Sequence, residues 1–97
     1  MSRTTFRTVI SYDITSDKRR RQVVKILEGL GYRVQYSVFE CELSERQLKH
    51  LKTALKPYVK PKTNDSIRFY ILCGECQKRV ESLGNDLSKT LGGLLIV

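Results

Sequence analysis

Few side chains in this sequence combine a reactive type with a useful position. The first is Asp13, a carboxylate near the end of the alternating apolar run FRTVISYDI at residues 6–14. Magnesium prefers such hard oxygens and is often held by only one or two carboxylates, with waters and substrate phosphates completing its shell. One aspartate per chain is thin for that purpose, but two brought together across a dimer axis make a pair. A cation between them would orient a phosphodiester, activate a water and offset charge on the leaving oxygen. The residues alone favour a plainer account, in which Asp13 caps the adjacent helix or pairs with Arg7 or Arg33. Asp17 is a tempting second ligand in DITSD, although an acid in the first turn of a helix is already accounted for by the helix dipole.

Lys18, Arg19, Arg20 and Arg21 form a basic run at that same helix start, where free backbone N–H groups also attract phosphate. Lys49, Lys52 and Lys56 recur at helical spacing further on, followed by Lys60 and Lys62. Such runs are ordinarily solvated faces. In a chain with 18 Lys plus Arg against 10 Asp plus Glu, net charge +8, they also suit a polyanion, and nucleic acid is the first partner to consider. Arg19 and Arg20 are the leading candidates for backbone contact. The aromatic pairs Tyr32 with Tyr36 and Phe39 with Phe69 offer stacking surfaces, but core packing is the commoner fate of such rings. Cys73-Gly74-Glu75-Cys76 has the spacing of a redox dithiol, or of half a zinc site that Cys41 and His50 would complete; the usual second pair is missing. No Ser-His-Asp arrangement, glycine-rich phosphate loop or H-E-x-x-H pattern supports the hydrolases built on those motifs.

The elements that must position these groups follow from periodicity. Phe6, Ile10, Tyr12 and Ile14 fall on one face of a first strand, and Arg7, Val9, Ser11 and Asp13 on the other, so Asp13 points away from the main core. Thr15, Ser16 and Asp17 open a helix that carries Val23, Ile26, Leu27 and Leu30, with Gly31 expected to end it in a left-handed conformation. Residues 32–43 change apolar phase, from Tyr32, Val34, Tyr36 and Val38 to Phe39, Cys41 and Leu43, which predicts a bulge or a break into two strands near residues 35–37. Ser44 with Gln47 makes a capping box for a second helix bearing Leu48, Leu51 and Leu55 and ended by Pro57. Residues 60–65 read as a polar loop, and SIRFYILC as a strand with Ile67, Phe69, Ile71 and Cys73 on one side.

That order is βαββαβ, an α+β ferredoxin-like arrangement with an antiparallel sheet and two helices on one face. The other face is then bare. Val9 and Phe39 or Leu43 are expected there, with a second copy of the chain as the simplest cover. The chain of 97 residues is one domain, residues 1–73 forming the core and 74–97 a tail with a strand candidate at 79–83 and an apolar LLIV ending. The basic excess is spread evenly, +4 in residues 1–49 and +4 in 50–97. With no apolar run of membrane length, no signal-like start and an odd number of cysteines, a cytoplasmic protein without membrane contact is expected.

Tyr12-Asp13-Ile14 closing the first strand, the Lys18-Arg19-Arg20 opening of the helix, and the run GYRVQYSVFE at residues 31–40 together resemble the CRISPR-associated Cas-two family, the small protein of spacer acquisition. The likeness spans residues 8–73, about two thirds of the chain. It implies a ferredoxin-like homodimer whose sheets face each other through Val9, Ser11 and Phe39, with a last strand joining the partner's sheet. It implies that Asp13 is the catalytic and metal-binding aspartate, holding Mg2+ between protomers of an endonuclease acting on RNA or duplex DNA. Lys18, Arg19, Arg20, Arg21, Arg33, Lys49, Lys52 and Lys56 are then the nucleic-acid contacts. The alternative within the same family is a non-catalytic scaffold that bridges Cas-one integrase dimers and holds the protospacer duplex; a toxin-like ribonuclease on a related fold stands further off.

Overall fold

The computed structural model describes residues 4–81 and residue 83. The strand β1 (Phe6–Asp13) alternates as its sequence requires, burying Thr8, Ile10 and Tyr12 while leaving Asp13 exposed. The helix α1 (Asp17–Glu28) starts at Ser16, whose hydroxyl accepts from the Arg19 N–H at 3.3 Å, and buries Val23 and Leu27. The phase change resolves into β2 (Gly31–Gln35) and β3 (Val38–Leu43), a hairpin turning at Tyr36 and Ser37 with its register slipping between Arg33 and Gln35. The capping box then forms on both sides: the Gln47 N–H donates to Ser44 Oγ at 3.2 Å and the Ser44 N–H to Gln47 Oε1 at 2.8 Å, opening α2 (Glu45–Leu55). Two short 3-10 turns, each entered through a proline, lead to β4 (Ser66–Leu72) and a single helical turn, α3 (Gly74–Gln77).

The four strands form one antiparallel sheet in the order β2-β3-β1-β4, with β2 and β4 outermost among the described residues. Ile10, Tyr12, Phe39, Cys41 and Leu43 from the sheet pack with Val23, Leu27, Leu51 and Leu55 from the helices into one core. This is the expected α+β ferredoxin-like βαββαβ fold with both helices on one face.

Several expectations are corrected. Phe39 and Leu43 do not lie on the bare face: antiparallel partners share a face, and Phe39 stands opposite Ile10 and Leu43 opposite Phe6, which turns both towards the helices. Phe39 is fully buried within the chain and is withdrawn from the dimer interface, where Val9 and Ser11 remain half-buried on the uncovered side. Gly31 does not end α1. Gly29 does, with right-handed φ −76°, while Gly31 lies in β2, where a Cβ would stand 2.2 Å from the Glu40 carbonyl oxygen. Leu30, past the helix end, drops out of the apolar stripe and is exposed, as is Ile71 near the end of β4. Arg79, Val80, Glu81 and Leu83 are not in a strand: the Arg79 and Val80 N–H groups turn back to the carbonyls of Cys76 and Gln77. The apolar ending and the expected strand exchange lie outside the described residues. No helix among the described residues is long and apolar enough to cross a membrane.

Candidate functional site

The uncovered sheet face carries Arg7, Val9, Ser11 and Asp13 from β1, with Glu40 and Glu42 opposite on β3 and Arg68 and Tyr70 opposite on β4. One end of this face is internally paired. Arg7 Nη1 donates to Glu40 Oε1 at 3.1 Å and Nε faces Glu42 Oε2 at 3.5 Å, while the Tyr32 hydroxyl donates to Glu40 Oε1 at 3.2 Å. Asp13 lies at the other end, in register with Ser66 and two residues from Ser11. The structural roles open to it are filled by others: Ser16 caps α1, Arg7 pairs with the glutamates, and the Arg33 guanidinium sits 5.5 Å over the Phe39 ring on the opposite side of the sheet. What remains is an exposed carboxylate at a strand end. The same face carries Arg68, in register with Ser11, its Nη1 donating to the Tyr70 hydroxyl at 3.2 Å. Arg68 is not among the sequence candidates; alternation against Ile67 and Phe69 is the signal that places it on this face.

The basic candidates divide. Lys18 and Arg21 are exposed on α1. Arg20 donates to the Ile14 carbonyl at 3.0 Å and pairs with Asp17, which ties it to the helix start. Arg19 leaves the nucleic-acid candidates: its Nη2 meets Asp65 Oδ2 at 2.5 Å and its Nε donates to the Tyr58 carbonyl at 3.2 Å. Asp65, which in sequence is only the end of a polar loop, is a buried anchor. Asn64 takes a left-handed φ of 66° and turns the next side chain inward, where it accepts from the Thr15 N–H at 2.9 Å, the Thr15 hydroxyl at 3.0 Å and the Lys60 N–H at 2.9 Å. These donors, the Thr15 N–H foremost, hold the carboxyl well below the usual carboxylate range.

Arg20, Arg21 and Arg33 do converge, with Lys25, on an open cleft floored by Tyr12 between α1 and the β2–β3 hairpin; Tyr36, 91% exposed, stands at its rim. Lys49, Lys52 and Lys56 are exposed on and beyond α2, Lys52 lying 5.5 Å over the Phe69 ring. Within one chain these basic groups share the helix side, whereas Asp13 occupies the other side of the sheet. A groove that joins Asp13 to the basic run is therefore not formed by one chain. The zinc alternative, already weak in sequence for want of a second pair, finds no support in the geometry. Cys41 is buried in the core, where desolvation pushes its thiol up to about 11, His50 is exposed on α2, and no cluster of three metal-ligating side chains exists among the described residues.

The sequence profile described as CRISPR associated protein Cas2 matches residues 6–80. A relative from Chloroflexus aurantiacus, named CRISPR-associated endoribonuclease Cas2 1, is 42% identical over 77 residues, covering 79% of this chain and 83% of the relative. The crystal structure of Streptococcus pyogenes Cas2 at pH 6.5 aligns with a TM-score of 0.69 at 40% identity, covering 80% of this chain and 99% of that one. A chain from a partial Cas6-RT-Cas1–Cas2 complex aligns with a TM-score of 0.68 at 28% identity, covering 80% and 90%. The profile match runs from the first residue of β1 past the end of α3 and leaves no described element outside it, so this chain belongs to the Cas2 family of CRISPR-associated proteins.

Proposed function

We propose that the protein serves CRISPR adaptation as a homodimeric endonuclease that holds a divalent cation, magnesium by its oxygen chemistry, between two Asp13 carboxylates and hydrolyses phosphodiester bonds of RNA or duplex DNA. The observation that carries this reading is Asp13 itself, exposed on the sheet face that no helix among the described residues covers, while Ser16 takes the capping role and Arg7 and Arg33 are engaged elsewhere. The name endoribonuclease borne by the Chloroflexus aurantiacus relative supports the activity. One carboxylate per chain suits magnesium as half of a shared site, since this ion keeps waters and takes few protein ligands. Once bound, it would supply Lewis-acid polarisation of the phosphodiester. Asp13 contributes the hard oxygen, Ser11 and Ser66 keep its surroundings polar, and Arg68 on the same face draws the phosphate towards it. Half-buried Val9 and exposed Tyr70, paired across β1 and β4, are the apolar surface a second sheet would cover.

The test is Asp13→Ala, assayed on RNA and on duplex DNA with magnesium or EDTA, alongside sedimentation of the dimer. Loss of several kcal/mol of transition-state stabilisation lowers cleavage by about 100-fold or more, with the dimer retained. Wild-type protein that cleaves nothing, or a variant that cleaves normally, removes the catalytic assignment.

A second reading rests on a different observation, the exposed cations Lys49, Lys52 and Lys56 on the helix side. A basic dimer with such a surface can hold a duplex without cutting it, and the structural neighbour from a complex containing Cas1 supports a bridging role beside that integrase. In that case duplex binding survives Asp13→Ala and falls on charge reversal of the lysines.

A further inference from the structure

The thiols of Cys73 and Cys76 have no part in the function proposed above, yet their arrangement is specific. Both are exposed, at the point where the chain leaves β4 and enters α3. The Cys76 N–H donates to Cys73 Sγ at 3.4 Å, so the Cys73 side chain is turned back over the first turn of α3 that carries Cys76. Residues three apart on one helical turn face the same side, the placement from which a disulfide can close with a local adjustment. We infer that Cys73 and Cys76 form a reversible redox dithiol, a site that takes a low-molecular-weight disulfide of the glutathione class as its oxidant.

The chemistry distinguishes the two partners. The backbone N–H of Cys76, and then its thiol, lower the Cys73 pKa, whereas donating that hydrogen bond raises the Cys76 pKa. Cys73 is accordingly the attacking thiolate and Cys76 the resolving thiol. The Cys73 thiolate attacks one sulfur of the oxidant, forming a mixed disulfide and expelling one thiolate. Cys76, losing its proton to solvent, attacks Cys73 Sγ and expels the second. Two protein thiols and one disulfide thus become one protein disulfide and two small thiols, with the two electrons passing to the oxidant. Cys41, buried in the core with its thiol pushed up to about 11, is a built-in unreactive control.

The bond would close the turn that directs the chain out of the sheet. That turn is now held by the Gln77 N–H to the Cys73 carbonyl and the Arg79 N–H to the Cys76 carbonyl, both at 3.0 Å. Oxidation would make this junction covalent, so that the redox state sets how firmly the following residues are aimed.

The test uses the full chain treated with oxidised glutathione in its folded state and read by intact mass and by thiol titration after denaturation. The wild type is expected to lose two of its three titratable thiols and two hydrogen masses, with no retained glutathione, and to recover both with excess reduced glutathione. Cys76→Ser should keep one glutathione on Cys73, and should react at least about tenfold faster than Cys73→Ser. Three thiols left titratable, cross-linked dimers as the only product, or a Cys76→Ser variant that acquires no adduct would overturn the proposal. So would zinc that stays bound through gel filtration and shields both thiols until EDTA is added. Both positions are exposed, so the serine variants fold, and none of these readouts depends on cleavage of nucleic acid.

Discussion

Asp65 shows how much one side chain can depend on residues far away in sequence. Its partners Thr15 and Arg19 lie 50 and 46 residues from it, and nothing in the local string PKTND signals a buried carboxylate. A depressed carboxylate adds stability that is fully present above its ordinary pKa, near 3.9, and is lost as pH falls towards the depressed folded value. Asp65→Asn removes both the titration and the charge that Arg19 needs. It is expected to lower the melting temperature at pH 7 by roughly 10 °C, since breaking a buried pair strands its partner. It should also flatten the fall in stability that the wild type shows below about pH 4. Thermal melts of both proteins from pH 7 to pH 2 check this, and parallel acid limbs would count against the anchor. Asp13 is the opposite case. Its position at a strand end and its outward face are legible from alternation alone, but the freedom of its carboxylate depends on where Arg7 and Arg33 find partners.

Among the elements, local signals are legible in the sequence and pairing-dependent ones are not. The capping box, the two apolar helix stripes and the break between β2 and β3 are encoded within a few residues of themselves, and each stands where its residues indicate, apart from Leu30 past the end of α1. The face that Phe39 occupies depends on which residue of β1 it meets, and Ile10 decides that. Gly31 resembles a helix terminator in sequence for the same reason, because its close approach to Glu40 and Cys41 exists only once the hairpin has formed. The approach has a measurable consequence. Gly31→Ala forces a Cβ to within 2.2 Å of a backbone oxygen and 2.6 Å of the Cys41 sulfur, so β2 must move. A loss of about 3 kcal/mol in urea denaturation is expected. Gly29→Ala, whose nearest atom is 3.5 Å away, serves as the control and should be neutral or slightly stabilising. Equal effects at the two glycines would argue against the close approach.

At the scale of the whole molecule, charge and layering set the expectations. A net charge of +8 spread over both halves gives a broad attraction for polyanions, and the exposed cations on the helix side give it a direction. A dimer neutralising about six phosphates should show a slope of about −5 when log affinity for duplex DNA is plotted against log salt. Reversing Lys49 and Lys56 to glutamate should flatten that slope by about one for each phosphate no longer neutralised, at unchanged melting temperature. Titrations at several salt concentrations measure this, and an unchanged slope would move the binding surface elsewhere. The strand order adds a consequence of its own. Among the described residues β2 and β4 have no outer neighbour, so the sheet they form ends in two rows of backbone groups able to template a further strand. Growth of the sheet sideways, by a piece of this chain or of another, requires no rearrangement of the core.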